Sequence, residues 1–119
     1  MRSAYLHLAT ITMEPGGDSA APGAAVTREL CGSWDHPPPC PLAAHHTRPE
    51  RSGDAVTLRI IFATYPADEA LVRSRIEGAL RQGSLTGPDG RTSRWHFLAG
   101  RPGELEASEA RHARRLIDS

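Results

Sequence analysis

Between residues 55 and 63 the chain alternates. Ala55-Val-Thr-Leu-Arg-Ile-Ile-Phe-Ala63 sets Val56, Leu58, Ile60 and Phe62 on one side, the period of two that a strand requires. Ile61 and Ala63 make the other side partly apolar, which predicts a central strand with both faces covered. The period then changes. Pro66 suits a first helical turn, Asp68 and Glu69 suit its positive end, and Val72, Ile76, Ala79 and Leu80 form one stripe at helical spacing. The helix is expected to run to about Gln82, with Gly83 as its stop.

Leu85-Thr-Gly-Pro-Asp-Gly-Arg91 reads as a turn. It links a short strand at 84–86 to a longer one at 92–98, with Trp95 and Phe97 on one side and Arg94 and His96 on the other. Arg101-Pro-Gly103 is expected to break the chain. A last helix follows from about Leu105 to Ile117, with acids early and Arg111, Arg114 and Arg115 late, as the helix dipole favours.

The predicted order is strand, helix, hairpin, helix. The fold class is α+β, a small two-layer sandwich with both helices on one face of the sheet. It is like part of a ferredoxin-like unit lacking its last strand, whose missing edge a segment from residues 24–47 could supply. That likeness is one of architecture and carries no function.

Upstream of residue 55 the pattern fades. Residues 1–30 read as a flexible tail: Pro15-Gly-Gly-Asp-Ser-Ala-Ala-Pro-Gly-Ala-Ala25 is small, loose and without period. A start placed too far upstream is one account of it, with Met13 or Val26 as the alternative starts. Residues 31–119 are then the single domain, divided into a loop at 31–53 and an α+β core at 55–118. Five prolines between Pro37 and Pro49 restrict helix and central strand alike in that loop.

With 119 residues the chain is long enough for one domain. Lys+Arg and Asp+Glu are 14 each, so no long-range field draws polyanions, and nucleic acid is disfavoured as a partner. All of the basic residues are Arg. No apolar run approaches a membrane span, and Glu14-Pro-Gly-Gly-Asp18 stands where a leader would want a cleavage site. The expectation is a cytoplasmic protein without a membrane partner. Its core is thin in aromatics, so a protein partner or a homodimer is expected to add burial.

The candidate chemistry lies in the loop. Cys31, His36, Cys40, His45 and His46 fall in one proline-rich stretch, and thiolate and imidazole are the ligands zinc prefers. The first expectation is a small binding or regulatory protein with a structural zinc. Cys31 and Cys40 would be thiolate ligands, His45 with His36 or His46 would complete the shell, and Trp34 would exclude water. Eight residues separate the cysteines, unlike the close pairs of zinc ribbons and fingers.

Other readings stand beside it. Free thiols beside solvated histidines, or a Cys31–Cys40 disulfide, would fit the same spacing. A thiol-dependent enzyme would use Cys40 with His45 or His46 as base. Nucleic-acid binding would use the Arg91–Arg101 stretch, with Arg91, Arg94, His96 and Arg101 beside Trp95. Finally, Glu109-x-x-His112, with Glu106 a turn earlier, is expected to be part of an exposed, ion-paired helix.

Overall fold

A computed structural model describes residues 1–31 and 43–119. Its elements are β1 (Ser3–Met13), α1 (Ala21–Cys31), β2 (Ala44–Ser52), β3 (Ala55–Thr64), α2 (Glu69–Arg81), β4 (Ser84–Thr86), β5 (Thr92–Gly103) and α3 (Ala110–Asp118). The strands form one sheet in the order β2-β3-β1-β5-β4, every neighbouring pair antiparallel. Without β4 and α3 this is the β-α-β-β-α-β connectivity of the split β-α-β unit. β4 is an added hairpin partner of β5, and α3 is an added C-terminal helix.

The fold class is α+β, as expected, but the sheet is centred on a segment that the sequence pattern left loose. β1 lies between β3 and β5. Its register pairs Leu6 with Ile61, Ile11 with Val56 and Met13 with Trp95. Tyr5, Ala9, Ile11 and Met13 pack on the helix side, and Ala4, Leu6 and Leu8 on the other. A strand apolar on both faces loses the clean alternation of a half-exposed one, so β1 reads as a mildly apolar run.

α1 likewise replaces the expected tail. Ala20 N–H donates to Asp18 Oδ1 at 2.9 Å and Ala21 N–H to the Asp18 carbonyl, while Pro22 occupies the first turn, where its missing N–H costs nothing. Ala21, Ala25, Val26 and Leu30 are its buried stripe. The small residues that read as a flexible linker are those of an alanine-rich helix pressed close to its neighbours.

Three further expectations give way. Residues 44–52 are edge strand β2 rather than loop, joined to β3 by a two-residue turn at Gly53 and Asp54. Pro49 is tolerated there because an edge strand leaves one side of its ladder unpaired. β5 does not stop at Arg101 but runs to Gly103, with Pro102 opposite His7 across a register shift. The two predicted helices do not share a face. α1 and α2 cover one side of the sheet, and α3 crosses the other, over Leu6 and Ile61.

The rest follows the sequence pattern. Val56, Leu58, Ile60 and Phe62 are fully buried under α1 and α2, where Val72, Ile76, Ala79 and Leu80 meet them. Gly83 ends α2 at φ +73°, and a Cβ there would stand 2.9 Å from the Trp95 carbonyl. Only glycine fits both the left-handed backbone and the close approach. Trp95 itself is buried and donates its indole N–H to the Leu80 carbonyl at 2.8 Å. No helix among the described residues is long and apolar enough to cross a membrane.

Candidate functional site

The start of β2 carries two of the predicted ligands, and the strand sends them to opposite faces, as successive strand residues must go. His45 faces α1. Its Nδ1 lies 3.0 Å from the Ala43 carbonyl and its Nε2 2.9 Å from Thr27 Oγ1. A carbonyl can only accept, so Nδ1 carries the proton and, in the neutral ring, the lone pair sits on Nε2. Thr27 Oγ1 also stands 3.0 Å from the Gly23 carbonyl, so its single proton serves one neighbour or the other. Cys31 is four residues beyond Thr27 on α1, about 6 Å along the helix axis.

His45, Thr27, Gly23 and Thr47 line a cleft of about 240 Å³ between α1 and β2. Thr47 Oγ1 is buried beside it, with no hydrogen-bond partner among the described residues.

His46 faces α3. Its ring lies 4.2 Å from that of His112, centroid to centroid, at an interplanar angle of 38°. Burial, then the nearby His112, His45 and Arg48, pulls the His46 imidazole below its ordinary value, against an opposing pull from Glu109. His45 and His46 do not converge on one point, so the structure separates two residues that the sequence groups together. His36, Cys40 and Trp34 lie outside the described residues. Among the described residues no three His, Cys, Asp or Glu side chains gather as a metal site.

Beneath the His46–His112 contact is an ion pair that sequence spacing misplaced. Glu109, expected on an exposed helix face, is 5% exposed. Arg59 on β3 grips it with Nη2 at 2.7 Å and Nε at 3.0 Å, and also donates to the Glu104 carbonyl. Glu109 closes the turn leading into α3 by accepting the Glu106 N–H at 2.8 Å. The Arg59 hydrogen bonds hold the Glu109 carboxyl below the usual range against the opposing effect of burial. The pair pins α3 across the sheet, with Arg48 Nη2 joining it at 3.9 Å from Glu106.

A second titratable cluster escaped the sequence reading because its histidine lies in the supposed tail and its other members on α2. His7, on β1, is 1% exposed. Arg73 Nη1 lies 3.1 Å from its Nδ1 and donates to the Leu6 carbonyl at 2.8 Å. A guanidinium can only donate, so Nδ1 is the unprotonated nitrogen and Nε2–H donates to Glu77 Oε2 at 2.9 Å. Glu69 holds Arg73 in turn at 2.9 Å. Burial pushes the His7 imidazole below its ordinary value despite Glu77. Gly100 makes room for this pair: a Cβ there would stand 2.5 Å from Glu77 Oε2. The cluster ties α2 to the central strand, and its two nitrogens are both occupied. The signal for it in the sequence is a lone polar residue at the centre of an apolar run.

On β5 the arginines and the aromatics part as expected. Trp95 and Phe97 turn toward the helices, and Arg94, His96 and Arg101 are exposed. Arg91 sits apart on the hairpin turn, 3.9 Å from Asp89. A base beside Arg94 and Arg101 would not reach the Trp95 ring, which is buried on the opposite face.

No family model, curated protein or solved structure matches this chain.

Proposed function

We propose that this chain is a small binding domain rather than an enzyme, with a zinc ion that staples the segment between α1 and β2. Cys31 and His45 are its ligands at the two ends of that segment, with Cys40 and His36 supplying the others. One observation carries the reading: the His45 ring is oriented as metal-binding imidazoles are. Its Nδ1–H is tied to the Ala43 carbonyl, and its Nε2 faces α1 at 2.9 Å from Thr27 Oγ1, one turn before Cys31, so zinc would take the place of the Thr27 contact. His46 is left out of the shell, because it packs on His112 across the other face.

The zinc would link α1 to β2 directly, a contribution of value in a small domain. A tetrahedral site filled by four protein ligands leaves no open position for chemistry, which favours a structural role. Native mass spectrometry of untagged protein tests this. One zinc, removed by a strong chelator, is expected in the unaltered chain and in His46→Gln. Cys31→Ser and His45→Gln are expected to lose it. A metal-free chain, or zinc retained equally by His45→Gln, overturns the proposal.

A further inference from the structure

The two edges of the sheet are finished differently. β2 ends one side with Arg48-Pro-Glu-Arg51, where Arg48 and Glu50 pair at 2.9 Å and Pro49 interrupts the row of donors. Charge and proline are the usual means of blunting an exposed edge. On the other side β4 covers β5 only from Thr92 to Arg94, and the Gly83 carbonyl takes the next N–H, that of Trp95, at 2.9 Å. From His96 onward no strand lies outside β5 among the described residues. The open run His96-Phe-Leu-Ala-Gly100 contains no acid and no arginine, and Pro102 closes it. Leu98, beside the register shift, is 57% exposed, and Ala99 is exposed with it.

We infer that this open stretch of β5 pairs with the same stretch of a second copy, antiparallel, about a two-fold axis near Leu98 and Ala99. Three features fit that occupant. The run spans about 17 Å, the length of an ordinary short strand. An antiparallel two-fold makes one edge complementary to itself, so each outward N–H and C=O finds its partner in the same residues of the copy. The uncharged run brings no like charges together at its centre and removes the Leu98 side chains from water. Joined this way, the two five-stranded sheets become one continuous sheet, with both β2 strands as its guarded outer edges. This inference is independent of the zinc reading, since β2 and the Cys31 end of α1 lie at the far side of the sheet.

Sedimentation velocity over a wide range of protein concentration tests it, with amide hydrogen exchange run in parallel. The full chain is expected to sediment at twice its single-chain mass as concentration rises, with the backbone amides of residues 96–100 becoming protected in step. Leu98→Lys, at an exposed position, is expected to keep the thermal midpoint of the dilute protein and to weaken self-association at least about tenfold. Glu50→Ala, on the guarded edge, is expected to leave the association unchanged. A chain that remains monomeric at every concentration overturns the inference. Self-association undiminished in Leu98→Lys overturns it too, by placing the contact elsewhere.

Discussion

Under α1 and α2 the sheet is sealed by apolar packing: Ile11, Leu58, Ile60, Phe62, Ile76, Leu80 and Trp95 are essentially without solvent contact. Under α3 the seal is small, Leu6 and Ile61 against Ala113 with Leu105 and Leu116 at the margin. What holds α3 there is polar: the Arg59–Glu109 pair, the His46–His112 ring contact and Arg48 near Glu106. The first face gains mainly from area, with a pH dependence of its own only through the His7–Glu77–Arg73 cluster beside α2. The second depends on geometry and on protonation states, and a single lost partner leaves a desolvated charge behind. α3 is therefore the element whose docking conditions can alter, and the α1–α2 layer is the fixed frame.

The comparison breaks most directly by emptying the larger core. Phe62→Ala removes a fully buried ring that stacks on Tyr5 at 5.4 Å between centroids. It is expected to cost about 3–5 kcal/mol, read as a fall in the urea midpoint of the whole chain. A loss of under about 1 kcal/mol would show that this face is not the frame.

Glu109→Ala tests the second face. Arg59, 12% exposed, would keep only the more distant and exposed Glu106 at 3.7 Å among the described carboxylates that pair with it, and the expected cost is about 3 kcal/mol, the low end for a broken buried pair. The loss should be local: α3 amides exchange quickly while those of β3 stay protected. Replacing both partners, Arg59→Leu with Glu109→Leu, is expected to recover most of it, since an apolar pair leaves no uncompensated charge.

The smallest effect sharpens the contrast by pH. His7 and His46 both have folded-state values below the ordinary 6.5, for which burial is the leading cause. On acidification the unfolded chain takes up those protons first. The stability they contribute is complete above pH 6.5 and declines as the pH falls through the lowered folded values. Glu109 sits below its ordinary 4.5 through Arg59, so its contribution is complete above 4.5 and is lost further down. Urea midpoints are expected to fall in two stages, and His7→Gln to flatten part of the first without touching the second. A midpoint constant from neutrality to pH 5 would contradict the lowered values of the two imidazoles, His7 buried and His46 at the β2–α3 contact.

The legible part of the chain is the part with a single period. β3 alternates over Val56, Leu58, Ile60 and Phe62, α2 repeats over Val72, Ile76, Ala79 and Leu80, and both are where the pattern put them. β1 and α1 were hidden for opposite reasons. β1 is apolar on both sides because it is central, and α1 is built of small residues because it packs closely. β2 was hidden by Pro49, whose usual reading as a strand breaker fails at an edge. Of the candidate ligands, sequence adjacency grouped His45 with His46, although strand geometry turns them to opposite layers.

The sequence by itself determined the α+β class, the alternating and helical stripes that fill the larger core, and the turns that Gly83 and the 87–90 segment impose. These are local properties, set by period and by backbone conformation. Tertiary structure alone decided that residues 3–13 form the central strand, that α3 crosses the face opposite α2, and that Glu109 is buried on Arg59 and His7 on Glu77. Each of those depends on a partner dozens of positions away, and such a partner leaves no mark on the spacing of its neighbours.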